Sequence, residues 1–327
     1  MWGRCYFYGD ENNGVEKVEL TWPIRLRIAI VAAVGIAVIG IYCWPMVAPA
    51  EPFGVVSVVN GMISAGDAIE LAALAFGIGL VCYFLSWPYG SRIGILAVPA
   101  GLAIWAARGG DMGELMQLNS SIVSRQQFFS AFCWEPLLWL GIVIAGFLGV
   151  FVASQIIHPA EPATNPGGKA TADRPKKNGI GDVVSAVVAV IGSAVIAQLF
   201  IGLFARDFTI ADASAGSAVA QPTTGQIIFA VVVAFGIAGF LVQRVLRMDY
   251  LWPVIASCLV TPLAINTYGK HKVLEYFAGR WPAVFFPNSV LTVLPIQVVV
   301  FGTLGSVVGF WLAVRYDYWH QHEADGA

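Results

Sequence analysis

The sequence predicts an all-α integral membrane protein of about eight transmembrane helices, arranged as a 4+4 tandem (parallel) repeat with both termini on the cytoplasmic side. Three observations carry this. Hydrophobic residues make up 58% of the 327-residue chain and charged residues 12%. The apolar residues collect in runs of membrane-spanning length. A set of Trp-Pro, proline and glycine landmarks then recurs about 160 residues apart.

Soluble domains carry roughly 25% charged residues, so about half of the usual charge is missing and a water-facing surface could not be covered. With 18 Lys+Arg against 20 Asp+Glu there is no basic excess for phosphate binding, which excludes a nucleic-acid partner. The high hydrophobicity and near-zero net charge exclude disorder. The partners this leaves are the lipid bilayer and other membrane subunits or a second copy of the chain.

A spanning helix needs about 20 apolar residues, because about 30 Å of hydrocarbon is crossed at about 1.5 Å per residue. The runs are Ile28–Val47, Leu71–Ser91, Pro88–Ala107 (interrupted by Arg92, which can snorkel), Pro136–Ile157, Val183–Ala205, Gly225–Gln243 and Tyr250–Gly269. The last run, Trp281–Val314, is too long for one span. Pro287-Asn288-Ser289 divides it into an interfacial piece and a final helix from about Val290. The runs are apolar on every side, unlike the alternating strands of a membrane barrel.

Lys and Arg set the orientation. With the N-terminus inside, Arg4, Lys17, Arg25, Arg27, Arg92, Lys169, Arg174, Lys176, Lys177, Arg244, Arg247 and Arg315 are cytoplasmic, 12 in all; Arg108, Arg125, Arg206, Lys270, Lys272 and Arg280 are outside, 6 in all. The expected organisation is a cytoplasmic tail (1–22), a first four-helix unit (23–157), a cytoplasmic linker (158–179), a second four-helix unit (180–316) and a cytoplasmic tail (317–327). A bacterial inner membrane suits this pattern. Ala48-Pro49-Ala50 resembles a signal-peptidase site, but the preceding run is span-length and its polar lead-in is long.

Five of the eleven tryptophans precede proline: Trp22-Pro23, Trp44-Pro45, Trp87-Pro88, Trp252-Pro253 and Trp281-Pro282, where random placement gives less than one. Trp favours the headgroup layer and Pro a helix's first turn, so the pairs are expected to mark span boundaries. They also expose the duplication. Trp87-Pro88 matches Trp252-Pro253, Pro99 matches Pro262, Glu114 matches Glu275, and Pro136 matches Pro295; Gly146 and Phe151 match Gly305 and Phe310. Offsets fall smoothly from 165 to 159, as small deletions after a duplication would produce. Four helices per unit leave the units in the same orientation, related by an axis along the membrane normal. Small residues such as Ala33/Ala37, Ala145/Gly149 and Gly302/Gly305/Gly309 suit close helix packing. Two loops between spans, Phe53–Ala68 and Arg206–Thr224, occupy corresponding places. The first has helical apolar spacing and is expected to be an interfacial helix.

The residue types of most membrane chemistry are missing from the spans. The histidines, His158, His271, His320 and His322, lie outside every run, which disfavours haem ligation. Cys5, Cys43, Cys82, Cys133 and Cys258 form no C-x-x-C pair, and there is no H-E-x-x-H, G-x-S-x-G or Walker loop. No aspartate sits mid-span. The expectation is a protein that is not an enzyme and has no catalytic residue, cofactor or metal. What remains for a functional site is a candidate polar path: Gln198 in the fifth helix, Pro99 and Pro262 in the third and seventh, Asn266 four residues after Pro262, Gln297 in the eighth, and Glu135 between aromatics at the fourth. A buried proline frees the carbonyl four residues back, and such carbonyls with nearby amides can line a solute path. The competing account makes the amides interhelical hydrogen-bond glue. The near absence of intramembrane charge favours a non-catalytic membrane subunit or scaffold over a small-solute permease or channel.

Overall fold

The computed structural model describes residues 22–49, 55–57, 63–118, 121–157, 179–206, 208–212, 216–278, 286 and 288–325. Nearly all of the N-terminal tail and of the 158–179 linker, and the Trp281-Pro282 pair, lie outside the described residues. Eight helices among the described residues are long and apolar enough to cross a membrane: Trp22–Tyr42, Ala65–Leu85, Gly90–Arg108, Ile122–Ile157, Gly181–Phe204, Thr224–Leu246, Leu251–Tyr268 and Pro295–His320. The chain is a multi-pass helical membrane protein, and these are its first to eighth spans.

Local chemistry sets their ends. Pro23 stands in the first turn of the first span, so the helix starts at Trp22, six residues earlier than the apolar run. At its other end the backbone widens into a π-turn, Ile36–Tyr42, and closes with a short 3-10 turn carrying Trp44-Pro45. Ser64 and Asp67 form a reciprocal capping box that starts the second span. Thr223 caps the sixth through the Gln226 amide. The third span is composite: a helical turn Gly90–Ile93, a 3-10 turn Gly94–Leu96, then Ala97–Arg108. Pro99 therefore occupies the first turn of the last piece rather than mid-helix. The break falls beside Ile95, whose carbonyl the proline ring excludes from the ladder. Pro262, in contrast, lies within the continuous helix Leu251–Tyr268.

One expectation about the connections changes, and the second connection and the C-terminus gain defined structure. Val55–Ser57 is not helical: Val55 and Val56 are buried, and the Val56 amide donates to the Gly109 carbonyl at 2.9 Å. The fifth and sixth spans are joined by an antiparallel hairpin, Phe208–Asp212 with Gly216–Ala220. The eighth helix runs from Pro295 to Asp325, so residues 317–325 continue it as helix. Asp317 accounts for part of that extension, since its two oxygens accept from Arg244 (2.6 Å) and Arg247 (2.7 Å) at the end of the sixth span.

Within each half the same partners lie together. The second and fourth spans cross where Gly79 meets Gly146, and a Cβ on Gly79 would overlap the Gly146 carbonyl. The sixth and eighth cross at Gly236 and Gly305, where a Cβ on Gly305 would stand 2.5 Å from the Val232 carbonyl. Such approach is open only to residues without a side chain, and it replaces the hydrophobic drive that lipid cannot supply. The first span packs on the third, where a Cβ on Gly101 would stand 2.5 Å from the Gly35 carbonyl. The fifth joins the seventh through Gln198, and the sixth through Phe204 against Phe229 and the Gln226 amide on the Phe204 carbonyl. The halves meet on the eighth span. At one end Gln297 reaches the third span; at the other, Tyr250 stands edge-on to both Phe147 and Phe310.

Candidate functional site

The six candidate residues separate into two groups. Glu135, Gln297 and the Pro99 helix lie around the junction of the halves; Gln198, Pro262 and Asn266 lie on the fifth and seventh spans.

Glu135 opens the helix Glu135–Ile157 after a turn at Cys133-Trp134. Its carboxylate is buried at the helix N-terminus, where the macrodipole favours negative charge. Both oxygens are engaged: one accepts from the Ser57 hydroxyl at 2.8 Å, the other from the Trp139 indole N–H at 3.0 Å. Ser57 belongs to the buried extended segment pinned by Gly109. Trp139 stands edge-on to Trp105, ring centroids 6.4 Å apart, and the Trp105 indole donates to the Gly40 carbonyl in the π-turn of the first span. One carboxylate thus organises a chain of contacts through the fourth, third and first spans.

Gln297 is fully buried and also has both ends occupied. Its Oε1 accepts from the Leu294 amide at 3.0 Å, and its Nε2 donates to the Ala106 carbonyl at 3.1 Å. Leu294 precedes the first turn of the eighth helix and Ala106 lies in the last turn of the third. These are the backbone groups a helix leaves without internal partners. One amide therefore caps two helices, one from each half of the chain.

In the second group, Gln198 donates to the Val260 carbonyl at 3.2 Å and ties the fifth span to the seventh. Pro262 is half-buried one turn before Asn266, but Asn266 is exposed on the flank of the seventh span and is not among the described residues that line the cavity at Gln198. Gln198 instead lines a cavity of about 400 Å³ with Val195, Leu199, Gly202, Tyr268 and Asn288. Two hydroxyls on the same spans, Ser193 and Thr261, are buried with no hydrogen-bond partner among the described residues.

Sequence reasoning passed over several of these groups. Ser57 carries no local signal. Asn288 stood out only as part of a Pro-Asn-Ser divider; in the structure its Oδ1 accepts from the Val290 amide at 2.8 Å and starts a buried 3-10 turn, Ser289–Thr292. Arg125 counted toward the charge asymmetry, yet it is buried and donates to the Met116 carbonyl at 3.0 Å, at the end of the helix Met112–Leu118. Its length and fork of donors suit that task. Between the sixth and seventh spans, burial raises the Asp249 carboxyl above the usual aspartate range. Among the described residues no three His, Cys, Asp or Glu side chains gather as a metal site would require. Compared with known proteins, the chain matches no family model, no curated protein and no solved structure.

Proposed function

We propose that this multi-pass protein is a non-catalytic membrane subunit or scaffold that packs against partner chains. It resides in a bacterial inner membrane with both termini in the cytoplasm. The observation that carries the reading is the use made of its buried polar side chains. Glu135 and Gln297 have both ends engaged in hydrogen bonds that join helices, Gln198 holds the seventh span, and Asn266 stands on the outside. These residues act as glue between helices rather than as the lining of a path. The two halves are read as an ancestral duplication in parallel orientation. Support comes from Gly79 over Gly146 in one half and Gly236 over Gly305 in the other, with Ala75 and Val232 each offering a carbonyl to the later glycine.

The permease reading rests on Pro262 within the seventh span and on the unpartnered Ser193 and Thr261 hydroxyls. Two measurements separate the readings. Gentle solubilisation from native membranes should recover the chain with stoichiometric membrane partners, and purified chain in proteoliposomes should conduct no small solute. Solute flux from the purified chain, abolished by Gln198→Leu, overturns the scaffold reading. Fusion reporters at the 206–224 connection should report an external location; an internal one reverses the orientation.

A further inference from the structure

The cavity between the fifth and seventh spans combines a polar wall with an apolar one and is open on one side. Its polar wall consists of the Gln198 amide, the Tyr268 phenol and the Asn288 amide; the rest, including Val195, Leu199 and Gly202, is apolar, and no charged residue among the described ones lines it. Each amide has capacity beyond its structural bond. Gln198 uses one N–H on the Val260 carbonyl, leaving its Oε1 as an acceptor. Asn288 uses its Oδ1 on the Val290 amide, leaving its NH₂ as a donor. Tyr268 adds a hydroxyl that both donates and accepts. The complementary head is uncharged and offers both a hydroxyl and a carbonyl, because an ion here would be desolvated without a counter-charge.

Depth and exposure select the rest of the ligand. Gly202 lies in the last turn of the fifth span and Tyr268 ends the seventh, so the mouth is at the membrane boundary. Gln198 stands six residues before Phe204, about 9 Å deeper at the helical rise. Val195 and Leu199 line the cavity while remaining 57% and 60% exposed, so it opens sideways toward lipid. Below them Val184, Val188 and Ile191 continue the exposed stripe at three- and four-residue spacing. A volume of about 400 Å³ is at the small end of the small-molecule range of about 300–1,000 Å³. A partner helix about 10–12 Å across does not fit inside it.

We propose that this cavity binds an uncharged amphiphile from the bilayer, its hydroxyl- and carbonyl-bearing head held by Gln198, Tyr268 and Asn288 and its apolar chain lying along Leu199, Val195 and Ile191. A diacylglycerol carries both groups, a free hydroxyl and ester carbonyls; an isoprenoid quinone carries carbonyls alone and so meets only the donor side of the wall. The test uses the full chain in phosphatidylcholine vesicles with two photoactivatable probes, a diazirine diacylglycerol and a diazirine isoprenoid quinone. The expected result is saturable labelling of the peptide carrying residues 195–202 by at least one probe, and the probe that saturates at lower concentration names the source. Gly202→Leu fills the cavity where an added Cβ meets nothing within 4 Å, and should reduce saturable labelling roughly tenfold. Gly181→Leu on the same helix, equally open and well below the cavity, should leave it unchanged. Tyr268→Phe keeps the shape and removes one hydrogen bond, for a loss of about fivefold; it decides the matter should Gly202→Leu unfold the chain. Labelling that rises linearly without saturation, or that falls equally in Gly181→Leu, overturns the proposal and leaves bulk lipid on this face.

Discussion

The fifth and eighth spans read alike in sequence, as long runs of valine, alanine, isoleucine and glycine, yet they occupy opposite places. In the eighth, 72% of the most apolar window is buried; in the fifth, 28%. The difference lies in what their small residues meet. Gly305 and Gly309 of the eighth stand against backbone of the sixth, and Gly302 against the Phe235 ring. Thr303 and Ser306 turn their hydroxyls back onto the Val299 and Gly302 carbonyls, so they face the core without an unpaired group. On the fifth, Gly181, Gly192 and Gly202 have nothing within 4 Å of an added Cβ, and Val183, Val187, Ile191 and Leu199 face outward. Lipid tails are as apolar as a protein core, so hydropathy does not sort inside from outside in a membrane. Close backbone approach does.

That contrast can be broken by substitution, the largest effect coming first. Gly309→Leu drives a side chain into the Gly236 carbonyl and should cost about 3 kcal/mol or prevent folding, read by unfolding in mixed micelles. Survival of that variant with unchanged stability would remove the distinction between the two spans. Glu135→Leu leaves the Ser57 hydroxyl and Trp139 indole without this acceptor and should cost about 2–3 kcal/mol in the same assay; Glu135→Gln should recover part of it. Gln297→Leu uncaps the Leu294 amide and the Ala106 carbonyl together, for about 2 kcal/mol. Gly192→Leu on the fifth span should change stability by less than about 0.5 kcal/mol.

The smallest effect is a pH slope. The Asp249 carboxyl is raised by burial, so the folded chain holds that proton to higher pH than the unfolded one. Its contribution is fully present below the unfolded value, near pH 4, and is lost as pH rises through the folded value. Asp249→Asn should flatten this part of the stability profile, and an unchanged profile would mean that the group is hydrated.

How much was legible depends on the range of the signal. Span number and approximate bounds follow from run length, and the starts at Trp22-Pro23, at Trp252-Pro253 and at Pro295 follow from what proline does in a first turn. Residues 317–325 read as a tail because their composition is polar; the partners that extend the helix, Arg244 and Arg247, lie about 70 residues away in sequence. The candidate path fared unevenly for the same reason. Gln297 and Glu135 were conspicuous as polar residues in apolar runs, but their partners Ala106 and Ser57 are 191 and 78 residues distant. Asn266 shares a helix face with Pro262 by spacing alone, and spacing does not say whether that face turns inward.

Composition and periodicity by themselves determined that this chain is a membrane protein with eight helical spans, because run length and helical rise are local properties measured against a bilayer of known thickness. Only the tertiary structure decided which spans lie at the centre, which amides cap helices and which line a cavity. Those outcomes depend on where backbones can touch and where a long-range donor finds its acceptor, and neither is written in any one segment.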